Sequence, residues 1–111
     1  MKRVKTEDSN SVDIFVNALK NNQIIAYPTD TIYGLGTDIN NNKGIDRINS
    51  IKMRKQPMSV ALGSFEIIKN KINAEAEILK KIEEILKDGS TCIVQYNPGS
   101  LNDKIAKDGK I

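Results

Sequence analysis

The chain has 111 residues, 39% hydrophobic and 28% charged, with a net charge of +3, which suits one small folded domain and excludes intrinsic disorder and a long apolar span. There is no histidine and a single cysteine, Cys92. That excludes Ser-His and Cys-His triads and an intramolecular disulfide, and it argues against a zinc site. No metal ligands are assigned.

The charged opening, Met1 to Asp8, has no apolar segment behind it, which reads as a cytoplasmic protein with no membrane association. Val12, Phe15, Val16 and Leu19 recur at helical spacing and predict a helix over 11–20, capped by Asn10 or Ser11 and ended by Asn21-Asn22. Gln23 to Tyr27 reads as a strand with a buried apolar run, Ile24-Ile25-Ala26. A polar loop follows, and Gly36-Thr37-Asp38 leaves it as a short second strand. Asn40 to Gly44 reads as a polar turn. Ile45, Ile48 and Ile51 then space a second helix to about Lys52.

Met58 to Leu62 reads as a strand. Ser64 caps a short helix to about Lys71. Asn73 is the expected cap of a further helix, with Glu75 and Glu77 in its first turn, where acids suit the helix dipole. Its apolar stripe is Ile78, Leu79, Ile82, Ile85 and Leu86, and Asp88-Gly89 closes it. Thr91 to Tyr96 reads as a strand that buries Cys92 as a structural thiol. Asn97-Pro98-Gly99 is a turn, and a one-turn helix is expected within 101–105. No linker, repeat or low-complexity segment divides the chain, so 1–111 is one domain of alternating strands and helices, α/β or α+β with a mixed sheet.

The residues richest in chemistry are Tyr27-Pro28-Thr29-Asp30-Thr31-Ile32-Tyr33-Gly34-Leu35. A plain turn needs Pro, Gly or Asp but not two hydroxyls and two phenols as well. Hydroxyls and amides at a strand end can hold a small polar ligand. On the residues alone the stretch reads equally as such a loop or as a polar turn. Lys52 and Arg54, near the end of the second helix, likewise suit either a bound anion or the helix dipole.

Pro28 to Leu35 resembles the signature of the YrdC-type family, the threonylcarbamoyl-adenylate synthases. Lys52-Met53-Arg54 followed by Pro57-Met58-Ser59-Val60 resembles that family's Lys-x-Arg and Pro-Leu-Ser-Val segments. The resemblance runs from about Asn10 to Val94. It implies a twisted, mixed open sheet with flanking helices around a concave cleft. It also implies a reaction of L-threonine, bicarbonate and ATP, with Mg2+, giving threonylcarbamoyl-AMP and pyrophosphate for the t6A37 modification of tRNA. Partner proteins would carry out the transfer to tRNA. The alternative is a module of the same fold that binds tRNA or double-stranded RNA without synthase activity.

Carried over residue by residue, the resemblance places Thr29, Thr31, Tyr33 and Ser59 at the threonine and carbamate. It places Lys52, Arg54, Lys55 and Thr91 at the phosphates of ATP. Asp30 is expected to organise the loop. No protein nucleophile is implied. Three departures stand out: a shorter loop between Arg54 and Pro57, Ala61 where some members carry a histidine, and Lys87-Asp88-Gly89-Ser90-Thr91 in place of Pro-Gly-Pro-x-Thr. The family pattern continues beyond Ile111 with a Gly-x-Arg-x-Pro strand, so the resemblance implies that a C-terminal part is missing.

Overall fold

A computed structural model describes residues 1–53 and 58–111. Among them it forms a small α/β arrangement of four α-helices and one two-stranded antiparallel sheet. The chain divides into two compact units, Met1–Arg54 and Lys55–Ile111.

In the N-terminal unit, α1 spans Ser11–Lys20 as the periodicity predicts. Its less exposed face is Ser11, Ile14, Phe15, Ala18 and Leu19, while Val12 and Val16 lie exposed. Phe15 and Leu19 of the expected stripe thus face inward and the two valines do not; α1 packs on the short β1. Asn10 stands at the N-cap without a side-chain bond. At the other end Asn22 takes a left-handed conformation (φ 57°). Its amide donates to Leu19 (3.1 Å), and that of Gln23 donates to Ala18 (3.0 Å). This pairing satisfies two terminal carbonyls and turns the chain away from the helix.

Strands β1 (Ile25–Tyr27) and β2 (Gly34–Gly36) pair antiparallel, with Ile25 opposite Gly36 and Tyr27 opposite Gly34. The second strand thus lies two residues earlier than expected, inside the signature stretch. Of the run expected to be buried, Ile24 and Ile25 are half-buried and Ala26 is exposed, since a two-stranded ribbon covers little of either face. Helix α2 runs Asn42–Ile51, so residues 42–44 are helix rather than turn. The reason is Asn41, whose Oδ1 accepts from the Gly44 amide (3.1 Å) and starts the helix early. Ile45 and Ile48 are buried, whereas Ile51 is exposed.

In the C-terminal unit, α3 (Phe65–Lys71) begins at Ser64, whose hydroxyl accepts from the Ile67 amide (3.3 Å). Helix α4 (Ala76–Lys87) begins at Glu75, not Asn73. Ile82 is buried, and Ile78 and Ile85 are nearly half exposed. Gly89 (φ 84°) ends α4 in the way that Asn22 ends α1: its amide donates to Leu86 (3.0 Å) and that of Ser90 donates to Ile85 (3.4 Å).

The strands expected at 58–62 and 91–96 do not form as ladders. Burial still alternates along both: Met58, Val60 and Leu62 on one side, Cys92, Val94 and Tyr96 on the other. What is missing is a partner backbone over most of their length, without which extended residues make no strand. Pairing is confined to bridges between Ile72 and Tyr96 and between Gln95 and Lys110. Val94 and Ile111 exchange two amide bonds of 2.9 Å.

The expected turn at Asn97-Pro98-Gly99 forms, with Ser100 N–H donating to Asn97 (3.0 Å). The same turn donates to the last carbonyl of α3, from Asn97 N–H (2.7 Å) and Ser100 Oγ (3.2 Å). A one-turn 3-10 helix follows at Asp103–Ile105. The Tyr96 hydroxyl donates to the Asp103 carboxylate, which with burial and the carboxylate charge raises the phenol's pKa. Ile72, Ile82, Tyr96 and Ile105 are the buried residues of this unit.

Candidate functional site

The loop between β1 and β2 is built around Thr29. Its Oγ1 accepts from the Thr31 amide (3.3 Å) and donates to the Ile32 carbonyl. Such a hydroxyl-to-backbone turn explains why threonine stands where a simple turn would need only glycine. Thr31 Oγ1 lies 3.4 Å from Thr29 Oγ1. With the Thr29 proton committed to Ile32, a bond between the two hydroxyls has Thr31 donating. Both threonines, Asp30 and Tyr33 are solvent-exposed, Tyr33 at 75%. The structure therefore brings Thr29 and Thr31 together and sets Tyr33 on the far limb of the same loop.

Beneath the loop the ribbon is closed by an aromatic ring. An ideal Cβ at Gly34 would lie 2.8 Å from the Tyr27 ring, and one at Gly36 would lie 3.0 Å from it. The ring occupies the space that two side chains would fill. The strand's own alternation could have announced this, since Ile25, Tyr27, Gly34 and Gly36 share one face.

At the neck of this excursion lies a buried polar knot. Asn41 Nδ2 donates to the Asn22 carbonyl and to Thr37 Oγ1, both at 2.9 Å. Thr37 Oγ1 in turn donates to the Gln23 carbonyl (3.2 Å). Asn41 is only 8% exposed. A Cβ at Gly44 would come within 2.4 Å of Asn41 Nδ2 and 2.6 Å of Thr37 Oγ1. The signal in the sequence is Asn41 three residues before Gly44, ahead of the Ile45 periodicity.

Lys52 caps α2, its amide donating to Ile48 (3.0 Å). Met53 follows in a left-handed conformation (φ 54°), donating to Ser50 (3.1 Å). The Lys52 side chain is thus carried at the end of α2, as its spacing predicts. Arg54, Lys55 and Pro57 lie outside the described residues.

Ser59 and Thr91 belong to the C-terminal unit, where both line a cleft of about 770 Å³. Its walls are apolar, from Ile68 and Ile72 to Ile82 and Leu86, with Cys92 among them. Lys107 and Lys110 also line it. They sit on a tight hairpin in which each donates to the other's carbonyl (2.9 and 3.0 Å). Asp108 (φ 53°) and Gly109 (φ 75°) form its turn. This Asp-Gly pair at positive φ is a type I′ signal that periodicity does not register. Cys92 is half-buried rather than enclosed.

Comparison with known proteins places the chain in a family. The Sua5/YciO/YrdC family model, described as "Telomere recombination", matches residues 17–111. A threonylcarbamoyl-AMP synthase of Vibrio vulnificus is 43% identical over 47 residues, 42% of this chain and 25% of the relative. One of Methylococcus capsulatus is 45% identical over 40 residues, 36% of this chain and 22% of the relative. A putative threonylcarbamoyl-AMP synthase of Mycobacterium leprae is 28% identical over 89 residues, 78% of this chain and 40% of the relative. The chain thus spans between a quarter and two fifths of these curated relatives, or slightly less. No solved structure matches it.

Proposed function

The chain belongs to the Sua5/YciO/YrdC family, and we propose on that premise that it carries the threonine-recognition and part of the nucleotide-recognition surface of a threonylcarbamoyl-AMP synthase. The observation that carries this reading is the Thr29–Thr31 turn, a hydroxyl pair held by its own backbone and open to solvent. It stands in a chain whose relatives bear that enzyme's name. The twisted open sheet of the family, with 1–111 as one domain of it, and a cytoplasmic location belong to the same reading. No described helix is long and apolar enough to cross a membrane.

The reaction joins L-threonine, bicarbonate and ATP. The threonine amine attacks the bicarbonate carbon, and a carbamate forms as water leaves. A carbamate oxygen then attacks the α-phosphate, and pyrophosphate leaves. No enzyme-bound covalent intermediate is needed. The chain's task is to hold two anions close together and offset their repulsion with donors and positive charge. Thr29 and Thr31 offer their hydroxyls to the threonine or carbamate, and Tyr33 walls the pocket. Ser59 completes the carbamate side. Lys52, Arg54 and Lys55 receive the phosphates, Arg54 as a fork and the lysines as point charges. Thr91 adds a hydroxyl to them. Magnesium enters as part of the MgATP substrate. Among the described residues no group of three His, Cys, Asp or Glu side chains is placed to hold a metal ion. The product serves tRNA modification through partner proteins.

Calorimetric titration of L-threonine, with and without MgATP, tests this reading. Threonine binding that tightens with MgATP and falls about tenfold in Thr31→Ala supports it, as the loss of one hydrogen-bonding group predicts. Lys52→Ala and Arg54→Ala are expected to weaken MgATP instead. A folded chain that ignores threonine yet binds duplex RNA with a steep salt dependence would replace this reading with the RNA-binding one.

A further inference from the structure

We propose that Tyr27 is a positioning residue for the substrate loop: its ring, seated on Gly34 and Gly36, holds β1 and β2 in register and so fixes the turn that carries Thr29 and Thr31. The proposal rests on the reading of that loop as the threonine site. It starts from the ribbon itself, which has three residue pairs and no third strand among the described residues. A two-stranded ribbon of that length is marginal by itself in water. Glycines at 34 and 36 make it weaker still, since they offer no side chain to pack across the strands.

The ring supplies what the glycines lack. It lies so close over both that an added Cβ would stand 2.8 Å from it at Gly34 and 3.0 Å at Gly36. An aromatic ring covering cross-strand glycines is a known way to pin strand register. A slip of one residue would move Tyr27 to the face of Leu35, away from the space the glycines leave.

The loop hangs directly from this contact. Tyr27 and Gly34 are the last pair of the ribbon. Between them the Thr29 hydroxyl reaches forward to the Ile32 carbonyl. That bond requires Pro28 and Tyr33 to start from a fixed separation, which the Tyr27–Gly34 pair sets. Ring carbons stand 2.8 and 3.0 Å from the Gly34 Cβ position and the phenol oxygen 3.0 Å from it, so Tyr27→Phe keeps most of the surface that covers the glycines.

The test uses the full chain with Tyr27→Phe, Tyr27→Leu and Gly34→Ala. Threonine affinity and amide hydrogen exchange at Thr31 and along the ribbon are measured together. Phe is expected to leave threonine affinity within about twofold, whereas Leu and Gly34→Ala weaken it about tenfold or more, through a loop no longer held in its binding geometry. Exchange at Thr31 is expected to rise in Leu and Gly34→Ala and not in Phe, while α1 and α2 stay protected. Wild-type affinity in Tyr27→Leu would overturn the proposal. Loss of protection in α1 and α2 together with the loop would also overturn it, by making Tyr27 a residue of the fold as a whole. If the unaltered chain binds no threonine, the synthase reading fails and the exchange data decide alone. Equal Thr31 exchange in wild type and Tyr27→Leu then overturns the positioning role.

Discussion

The two units treat the same kind of sequence differently. In Met1–Arg54 an extended segment finds a partner seven residues on and becomes a paired strand. In Lys55–Ile111 two segments with better strand composition, 58–62 and 91–96, alternate in burial, yet among the described residues only the second pairs, at isolated bridges. The N-terminal unit adds a hydrogen-bonded polar knot at Asn41, whereas the C-terminal unit relies on two helices and a turn that donates to the end of one of them. The difference teaches that side-chain alternation reports burial, while a strand requires a second backbone within reach.

The sharpest way to break the comparison is to remove the core of one unit alone. Ile48 is fully buried, so Ile48→Ala is expected to cost about 2–5 kcal/mol by transfer and cavity terms. Denaturant unfolding followed by residue-resolved exchange checks whether the C-terminal unit keeps its protection. Next comes Gly44→Ala, which improves helix propensity but drives a methyl into Asn41 and Thr37. A net loss of about 1–3 kcal/mol is expected, as for other overpacked sites. A stabilised variant would show that the knot yields cheaply.

Three helices end on a left-handed residue: Asn22 after α1, Met53 after α2 and Gly89 after α4. Methionine is the poorest fit to that conformation. Met53→Gly is therefore expected to stabilise by up to about 1 kcal/mol, and Gly89→Ala to destabilise by about 1 kcal/mol. Thermal melts of the pair compare the units directly.

The Tyr96–Asp103 bond adds a pH dependence confined to the C-terminal unit. Because folding raises the Tyr96 pKa, the neutral phenol favours the fold. That contribution is full below the ordinary tyrosine value of about 10 and is lost as pH rises through the raised one. Melting temperature against alkaline pH should fall more steeply in wild type than in Tyr96→Phe. The smallest effect is that of Lys87→Gln, which removes an exposed pair with Glu83 at 3.1 Å. It is expected to cost no more than about 0.5 kcal/mol and to vanish in high salt.

Periodicity and end signals located every helix, since those are local properties. Ser64, Asn22 and Gly89 act on backbone groups within five residues of themselves. The early start of α2 is not in the periodicity: Asn41 suits a polar turn as well as a cap, and its bond to the Gly44 amide decides for the cap. The candidate loop was legible as chemistry, as two hydroxyls and a carboxylate beside a strand. The bond from Thr29 to the Ile32 carbonyl was not, because it depends on which carbonyl the first hydroxyl reaches. Ser59 and Thr91 stand 32 positions apart in the sequence, and only folding sets them on one cleft. The Asp108-Gly109 hairpin was readable from its dipeptide but was obscured by the weak pattern around it.

The polar knot has one more consequence. Asn41 ties back to Asn22 across 19 positions, so the segment between them leaves and re-enters the unit through a single neck. The entropy of closing that excursion is borne at the neck, and it rises only slowly with length, by about 0.6 kcal/mol per doubling. The hairpin tip is therefore a graftable cassette. Residues added or exchanged between Pro28 and Tyr33 are expected to disturb the loop more than α1 or α2, because the neck at Asn41 holds the ends of the segment.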